Sequence, residues 1–343
     1  MPETVAAARK ESFTGSDPVK QALHALSPRS ASVLGCGTAL PERVVETAEL
    51  APRFGVDADW AIGRTGVRRR RIADPDARLT DLAADASRAA LDRAELEAAE
   101  LDLVLVATVT ADEITPSAAP LVAHAIGATG AGAADVGAAC TGFLTALSLA
   151  AAQIESGRAQ HVLVVGADIL SRITDPEDRA TAMLFADGAG AVVLGASSDG
   201  GGLGPVLLRH DGTGARNIIA PRARGLIEMD GQETYRNAVA RLTEASREAA
   251  DAAGIALEDV DLFIPHQANA RITRAVGARL GLPDSRVVDC IGELGNTSAA
   301  TLPLALAYAE KQGRLRPGDT VLLAAFGAGF TWGAGVLEWG RAA

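Results

Sequence analysis

Two apolar segments of this 343-residue chain recur 159 residues further along the sequence. LDLVLVA at residues 101–107 corresponds to VDLFIP at 260–265, and VLVVG at 162–166 corresponds to VLLAA at 321–325. An amphipathic helical pattern precedes the first pair in both places, at about 82–94 and at about 239–253. Two pairs at one offset predict a duplicated α/β unit. Chance similarity between apolar strands is the alternative.

Short apolar runs alternate with helical patterns along the whole chain, which is typical of strands that are covered on both faces. We therefore predict two α/β halves packed together, with helices between the sheets. The first half spans residues 31–198 and the second spans 199–343, after an N-terminal extension at 1–30. The turn-rich stretch SSDGGG at 197–202 marks the junction.

Composition limits the class of protein. Hydrophobic residues make up 48% and charged residues 22%, which is typical of a globular enzyme. The net charge of −11 argues against general nucleic-acid binding, and no apolar run is long enough to span a membrane. The first 30 residues lack the apolar core of a secretory signal. Three cysteines without metal-type spacing favour a cytoplasmic protein with no metal site.

Cys140 has the surroundings of a nucleophile. It follows the buried segment DVGAA and precedes TGFL and an alanine-rich helical stretch, so it should lie on a sharp turn at a helix start. Unpaired backbone N–H groups and the helix dipole at such a position favour the thiolate. The alternative is a buried structural cysteine. We expect the other two, Cys36 at a strand end and Cys290, to be structural.

His266 and Asn296 follow strands in the second half, where the ligand sites of α/β folds lie. His266 occurs in FIPHQAN directly after a buried segment, and Asn296 occurs in GNTSAA before a helix. Taken singly, the histidine could be structural and the asparagine could be a helix cap.

Longer motifs surround these three residues. They are AACTGF at 138–143, PHQAN at 265–269, GNTSAA at 295–300, FGAGFTWG at 326–333, Trp60 with RTGVR at 64–68, and DPEDR at 175–179. With these motifs, from about residue 31 to 339, the chain resembles β-ketoacyl-acyl-carrier-protein synthase III of the thiolase-fold condensing enzymes. The resemblance implies an internally duplicated five-layer αβαβα fold.

The resemblance also implies a mechanism. Cys140 would take the acyl group from acyl-CoA as a thioester. Malonyl on acyl carrier protein would lose carbon dioxide, and His266 and Asn296 would stabilise the resulting enolate, which attacks the acyl-cysteine. Backbone N–H groups of Cys140 and Ala328 would form a second oxyanion hole. The family usually has glycine at the Ala328 position. No cofactor is implied beyond these substrates.

Further residues take their expected roles from the resemblance. Trp60 and Arg179 would flank the adenine of coenzyme A, Arg64 would meet its phosphates, and Asn269 would contact the pantetheine arm. Phe326 would line the acyl pocket. In this homodimeric family, a residue of the second subunit closes that pocket, and its position falls at Thr115. Because threonine is smaller than the phenylalanine of acetyl-selective members, we expect a primer larger than acetyl.

A basic surface is expected for acyl carrier protein, which is acidic. Arg271, Arg274 and Arg279 recur at helical spacing after His266, and Arg236 could join them. A solvated helix face is the alternative for each of these arginines. The run RRRR at 68–71 is interpreted as one or two functional arginines plus surface charge.

Two other functions fit parts of this pattern. A homologue of the same fold could move the acyl group from Cys140 to an alcohol or amine without condensation. A silent partner subunit could set chain length or bind carrier protein. Since Cys140, His266 and Asn296 are all present, condensation is the favoured interpretation, with priming of either fatty-acid or polyketide synthesis.

Overall fold

The structure, a computed structural model, describes residues 30–197 and 202–340. The extension expected at 1–30, apart from Ser30, and most of the junction at 197–202 lie outside the described residues. The strands are β1 (Ser30–Ala39), β2 (Val44–Glu46), β3 (Arg69–Arg71), β4 (Leu103–Ala107), β5 (Gly132–Val136), β6 (His161–Ile169), β7 (Asp187–Ser197), β8 (Leu203–His210), β9 (Ile218–Ile219), β10 (Glu228–Met229), β11 (Leu262–Pro265), β12 (Thr320–Gly327) and β13 (Thr331–Glu338).

The α-helices are shorter in the connections and longer where they cover the sheets. They are α1 (Thr47–Leu50), α2 (Ala58–Thr65), α3 (Leu79–Ala94), α4 (Ala118–Ile126), α5 (Gly142–Glu155), α6 (Arg179–Ala182), α7 (Gly231–Ala253), α8 (Ala270–Leu280), α9 (Ile291–Leu294) and α10 (Thr301–Lys311).

Two larger sheets have corresponding strand orders. The first runs β1-β7-β6-β4-β5 and the second runs β8-β13-β12-β11. One pair of strands corresponds as parallel neighbours, β6 with β4 in the first sheet and β12 with β11 in the second. The strands that continue each sheet in the other direction, β7 and β1 or β13 and β8, are paired antiparallel. Since β11 and β12 begin about 159 residues after β4 and β6, the structure confirms the predicted duplication.

Alternation along β6 shows why the strands form apolar runs. Val162 and Val164 lie in the core between the two sheets, whereas Leu163 and Val165 lie in the core on the outer side. A strand that is buried on both faces needs apolar side chains at successive positions. In β12, Leu323 likewise lies in the core between the sheets, whereas its neighbours Leu322 and Ala324 lie in the outer core of the second half.

The layers follow from these contacts. Helices α3 and α4 cover the outer face of the first sheet, and α7 and α8 cover the outer face of the second. Helices α5 and α10 lie between the sheets and contact both. This is the five-layer αβαβα arrangement expected from the sequence.

Two short 3₁₀ turns between the sheets bring the halves together. The Ala139–Thr141 turn packs on β12 of the second half, the Ser298–Ala300 turn packs on β6 of the first, and the two turns contact each other. The approach requires glycine in both strands. A Cβ on Gly327 would lie 2.9 Å from the Cys140 nitrogen, and one on Gly166 would overlap the Ala299 carbonyl.

Candidate active site

Cys140 lies on a sharp turn at a helix start, where the sequence placed it. Strand β5 ends at Val136, Ala139 has a φ of 47°, and α5 begins at Gly142. The Thr141 hydroxyl donates to the Ala138 carbonyl at 2.7 Å and braces the turn. A non-glycine residue rarely adopts a left-handed φ, so this turn is held by the packing around it.

The ionisation of Cys140 differs from the sequence expectation. Burial raises the pKa of its thiol to about 11. The negative charge of Asp168 acts in the same direction, whereas the nearby Ser298 hydroxyl opposes the shift. The backbone N–H at the turn lowers the pKa, in the direction that the sequence predicted, but the cost of removing the anion from water is larger. Cys140 is therefore a thiol at neutral pH.

The other two cysteines line neither of the two cavities that meet at Cys140. Cys36 was expected at a strand end but lies within β1, buried, with its thiol donating to the Pro303 carbonyl at 3.7 Å. Burial raises its pKa to about 12. Cys290 is also buried, and burial raises its pKa as well.

His266 follows β11 directly, and its backbone N–H donates to the Ala324 carbonyl of β12 at 2.7 Å. Its ring is buried, which lowers the pKa of the imidazole to about 4, so the ring is neutral at neutral pH. Next to it, the Gln267 amide donates to the Pro265 and Val288 carbonyls and accepts from the Cys290 N–H at 2.9 Å. This bracing fixes the chain on which the imidazole is carried.

Asn296 is held from both sides. Its backbone bonds to the segment around Phe185, donating to the Leu184 carbonyl at 3.0 Å and accepting from the Ala186 N–H at 2.9 Å. Its side-chain oxygen accepts from the Ser298 N–H at 3.0 Å. Because the protein occupies this acceptor, the group that the side chain can offer a ligand is its Nδ2 donor.

Two cavities meet at Cys140. The tunnel cavity, of about 450 Å³, is lined by Cys140, His266 and Asn296 and extends to Trp60 and Arg179. The inner cavity, of about 640 Å³, is reached from the other side of the thiol and is walled largely by apolar side chains. Its lining includes Cys140, Ser298, Ala328, Val109, Ile114, Leu170 and Ile227. A group on the sulfur can therefore extend in either direction.

The residues expected to bind coenzyme A line the tunnel cavity. Trp60 is 42% exposed, and the guanidinium carbons of Arg64 and Arg179 lie 5.4 and 5.3 Å from its ring centroid. Asn269 caps α8 by accepting from the Arg271 N–H at 2.9 Å and donates to the Arg64 carbonyl at 3.1 Å. The asparagine thus joins α8 to the helix that carries the tryptophan.

The acyl-pocket residues fall in different places. Ala328 lines the inner cavity, whereas Phe326 lines the tunnel cavity and packs on Phe330, with ring centroids 4.9 Å apart. Strand alternation in β12 turns Phe326 to the outer core with Leu322. Thr115 is exposed and lines neither cavity, next to Ile114, which is 89% exposed.

The predicted docking arginines are divided between two faces. Arg271 lines the tunnel cavity with its guanidinium carbon 5.1 Å from the Tyr235 ring centroid. Arg236, which follows Tyr235 in the chain, pairs with Glu233 at 2.7 Å. Arg274 instead lines a separate cleft, and Arg279 is exposed near the end of α8. The structure does not gather all four around one opening.

The arginines at 68–71 were predicted to be functional or surface residues, but Arg70 is part of the protein interior. Arg70 is fully buried, donates to the Ala182 carbonyl at 3.1 Å and contacts the Thr47 hydroxyl at 2.5 Å. Arg69 forms surface ion pairs with Glu46 and Glu293. These contacts tie β3 to its neighbours.

Sequence reasoning missed Asp168, a buried carboxylate beside the site. Its Oδ1 accepts from the Thr108 hydroxyl at 3.1 Å, the Val109 N–H at 2.9 Å and the Thr110 hydroxyl at 2.9 Å. Its Oδ2 accepts from the Ala299 N–H at 3.2 Å. One acidic residue inside the apolar run VLVVGADIL was the available signal.

Within residues 30–197 and 202–340, no cluster of three or more histidine, cysteine or acidic side chains could hold a metal ion. Over the same residues, no helix is long and apolar enough to cross a membrane.

Comparison with known proteins gives one family. Residues 134–212 match the family model of 3-oxoacyl-[acyl-carrier-protein] synthase III, and residues 250–339 match the model of its C-terminal part. A β-ketoacyl-[acyl-carrier-protein] synthase III of Rhizorhabdus wittichii is 42% identical over 91% of this chain and all of its own length. A second, from Streptomyces coelicolor, is 45% identical over 91% of this chain and 94% of its own.

The chain belongs to the β-ketoacyl-acyl-carrier-protein synthase III family. Its structure is similar to the synthase III of Pseudomonas aeruginosa PAO1, with a TM-score of 0.88 and 42% identity over 92% of this chain and 99% of that one. It is also similar to the priming β-ketosynthase of the R1128 polyketide pathway, with a TM-score of 0.88 and 38% identity over 92% and 98%. The protein is thus an acyl-transferring condensing enzyme that primes fatty-acid or polyketide synthesis.

Proposed function

We propose that this synthase III condenses an acyl group carried on Cys140 with malonyl on acyl carrier protein, releasing carbon dioxide. The observation that carries the proposal is the position of the thiol, which lines two cavities at their meeting point. One cavity runs from the thiol to Trp60, Arg64 and Arg179, which suit coenzyme A, and the other is a largely apolar space for the acyl chain. A thioester on Cys140 would lie between them.

The tunnel cavity has the chemistry to hold coenzyme A. The exposed Trp60 ring offers a face for the adenine, and Arg64 and Arg179 supply cations beside it. We propose that the arm runs from this mouth past Asn269 to the sulfur. A phosphate-bearing ligand at the mouth would meet the cations Arg64 and Arg179, on a chain whose net charge is −11.

His266 and Asn296 are proposed to stabilise the enolate that forms when malonyl loses carbon dioxide. Both line the tunnel cavity beside Cys140. Because burial keeps the imidazole neutral, its Nε2 can carry the proton that it donates to the enolate oxygen. Asn296 adds its Nδ2 donor. Donors already placed where charge develops require no reorganisation during the reaction.

The second oxyanion, on the carbonyl of the acyl-cysteine, is proposed to meet the backbone N–H groups of Cys140 and Ala328. Support comes from the close approach of β12 to the nucleophile turn, because the absent Cβ of Gly327 leaves the two backbones in contact. Ala328 follows directly on the inner-cavity side.

We propose a primer larger than acetyl. The inner cavity, at about 640 Å³, exceeds what a two-carbon group fills, and apolar side chains form much of its wall. Its opening lies by Ile114, which is 89% exposed, and Val109, which is 46% exposed. We propose that a second copy of the chain covers these side chains, with Thr115 closing the cavity in a homodimer.

Carrier protein is proposed to dock at the tunnel mouth through Arg271, with Arg236 beside it. Arg271→Ala should raise the KM for malonyl on carrier protein several-fold and leave the rate with malonyl-CoA nearly unchanged. Arg279→Ala, on the far end of α8, is the matched control. Equal effects of both variants on both substrates would contradict docking at this mouth.

The principal test is intact-mass analysis after incubation with acyl-CoAs of increasing length. We expect a mass shift on Cys140 that forms faster with branched or longer acyl groups than with acetyl. A strong acetyl preference would contradict the primer proposal, and labelling at another residue would contradict the nucleophile.

Release of carbon dioxide separates condensation from simple acyl transfer. The acyl-enzyme is mixed with malonyl-acyl carrier protein, and both carbon dioxide and β-ketoacyl product are measured. We expect equal amounts. Transfer of the acyl group to an alcohol or amine without carbon dioxide would instead identify an acyltransferase.

A further inference from the structure

Arg70 is among the largest fully buried side chains, and it lines neither of the two cavities that meet at Cys140. Its guanidinium donates to two uncharged acceptors, the Ala182 carbonyl at 3.1 Å and the Thr47 hydroxyl at 2.5 Å. Its Nε has no hydrogen-bond partner among the described residues. Burial lowers the pKa of the guanidinium to about 10, so the group is charged at neutral pH. A charge buried on neutral acceptors costs stability, so packing alone does not account for an arginine here.

The first hydrogen bond of Arg70 holds the helix that carries Arg179. Ala182 is the last residue of α6, and Arg179 is the first. The last carbonyls of a helix have no donor within the helix, and Arg70 supplies one to the Ala182 carbonyl. At the other end of α6, the Asp178 side chain accepts from the Ala180 N–H at 3.0 Å. Arg70 therefore fixes the C-terminal end of this short helix.

Helix α6 and the residues after it form one wall of the tunnel cavity. The residues of this wall that line the cavity are Arg179, Ala180, Met183, Leu184 and Phe185. The guanidinium carbon of Arg179 lies 5.3 Å from the ring centroid of Trp60, which belongs to α2. The separation of these two side chains therefore depends on where α6 lies relative to α2.

The second hydrogen bond of Arg70 leads to α2. The Thr47 hydroxyl accepts from Arg70 and donates to the Val67 carbonyl at 2.7 Å. Val67 lies two residues beyond Thr65, where α2 ends. Through Thr47, Arg70 thus connects the chain that leaves α2 with the end of α6. One buried guanidinium bridges the two helices that carry Trp60 and Arg179.

We propose that Arg70 is a positioning residue for coenzyme A, because it holds α6 against the end of α2 so that Arg179 lies beside Trp60 before the nucleotide binds. Side chains that are already in place lose less conformational freedom when a ligand binds to them. Since Arg70 lines neither cavity, its loss should weaken the contribution of the nucleotide and not the chemistry at Cys140. The inference rests on the proposed function, because it requires coenzyme A at the tunnel mouth.

The test compares acylation of Cys140 by the same acyl group on coenzyme A and on pantetheine, which lacks the nucleotide. Intact-mass analysis over time gives a second-order rate constant for each thioester. Arg70→Met keeps an unbranched side chain and removes both hydrogen bonds. We expect the ratio of the coenzyme A to the pantetheine rate constant to fall about tenfold, with little change in the pantetheine rate. Arg69→Met, which changes the neighbouring surface arginine, is the control and should keep the wild-type ratio.

A double variant shows whether Arg70 acts through Arg179. Arg179→Ala should lower the same ratio, and Arg70→Met added to it should lower the ratio by no more than about twofold further. A full further loss in the double variant would overturn the positioning role, because Arg70 would then act independently of Arg179. Equal losses with both thioesters in Arg70→Met would also overturn it, because the arginine would then only support the fold.

Thr47→Val and Thr47→Ser decide the matter even where Arg70→Met does not fold. Valine removes the hydroxyl that joins Arg70 to the chain after α2, whereas serine retains it. Only Thr47→Val should lower the ratio. The wild-type ratio in Thr47→Val would overturn the inference and leave the proposed function intact. A ratio near one in the wild type would instead contradict coenzyme A binding at the mouth, and therefore both proposals.

Discussion

The turn at Ala139–Thr141 and the turn at Ser298–Ala300 lie 159 residues apart, one in each half. Each begins with a non-glycine residue in the left-handed region, with φ values of 47° and 51°. Each packs against a strand of the opposite half at a glycine, Gly327 or Gly166. The duplicated unit therefore repeats the backbone of its turn as well as its strands.

The two turns share a backbone conformation but carry different side chains. The second position of the turn is Cys140 in the first half and Ala299 in the second. The thiol lines both cavities, whereas Ala299 is buried with its N–H bonded to Asp168. In the proposed reaction, one half supplies the nucleophile and the other supplies the groups that stabilise charge.

The largest effect should come from removing the thiol. Cys140→Ala should abolish the acyl mass shift and lower kcat by about 10⁴-fold or more. Moving the thiol to the equivalent position, by combining Cys140→Ala with Ala299→Cys, should not restore labelling because residue 299 lines neither cavity. Acyl labelling at position 299 of the double variant would show that the halves are interchangeable.

The second-largest effect should distinguish decarboxylation, which uses a donor of the second half, from acylation of Cys140 in the first half. Asn296→Ala should slow decarboxylation of malonyl substrate by about 10²-fold, or about 3 kcal/mol in the barrier, because an enolate donor is lost. Acylation of Cys140 should change far less. Rapid-quench measurement of each half-reaction checks this, and equal losses in both would contradict the division.

His266 gives a smaller effect that depends on pH. Its folded pKa, about 4, lies below the ordinary value of 6.5, so the unfolded chain binds a proton more readily between these values. The stability that His266 contributes is present above pH 6.5 and is lost as pH falls towards 4. From pH 7 to 5 the wild type should lose about 2 kcal/mol more than His266→Gln.

Urea unfolding of both proteins at the two pH values measures this difference. Comparison with His266→Gln removes the contribution of the carboxylates, because these titrate in both proteins. Parallel losses in wild type and variant would mean that the imidazole is protonated in the folded protein.

The smallest effect compares the two left-handed residues directly. Ala139→Gly and Ser298→Gly each relieve the backbone but increase the freedom of the unfolded chain. Each should therefore change the free energy of unfolding by no more than about 1 kcal/mol. Thermal unfolding should give similar shifts for both. A large loss of stability in only one of the two variants would show that the two turns are held by different packing.

The sequence predicted most of the architecture because it depends on pattern. Paired apolar segments at one offset predicted the duplication, and residues 138–143, 265–269 and 295–300 predicted a site built from both halves. Small residues before Cys140 predicted its sharp turn. These features depend only on the order and size of the side chains along the sequence.

Only the tertiary structure decided the electrostatics and the direction of side chains. The pKa of Cys140 is raised and that of His266 is lowered, since burial depends on what packs around a group and not on its neighbours in sequence. Phe326 faces the tunnel cavity because of strand alternation within a particular sheet, and Arg70 is buried by contacts from distant segments. Asp168 reaches the site only because the second half's turn folds onto β6.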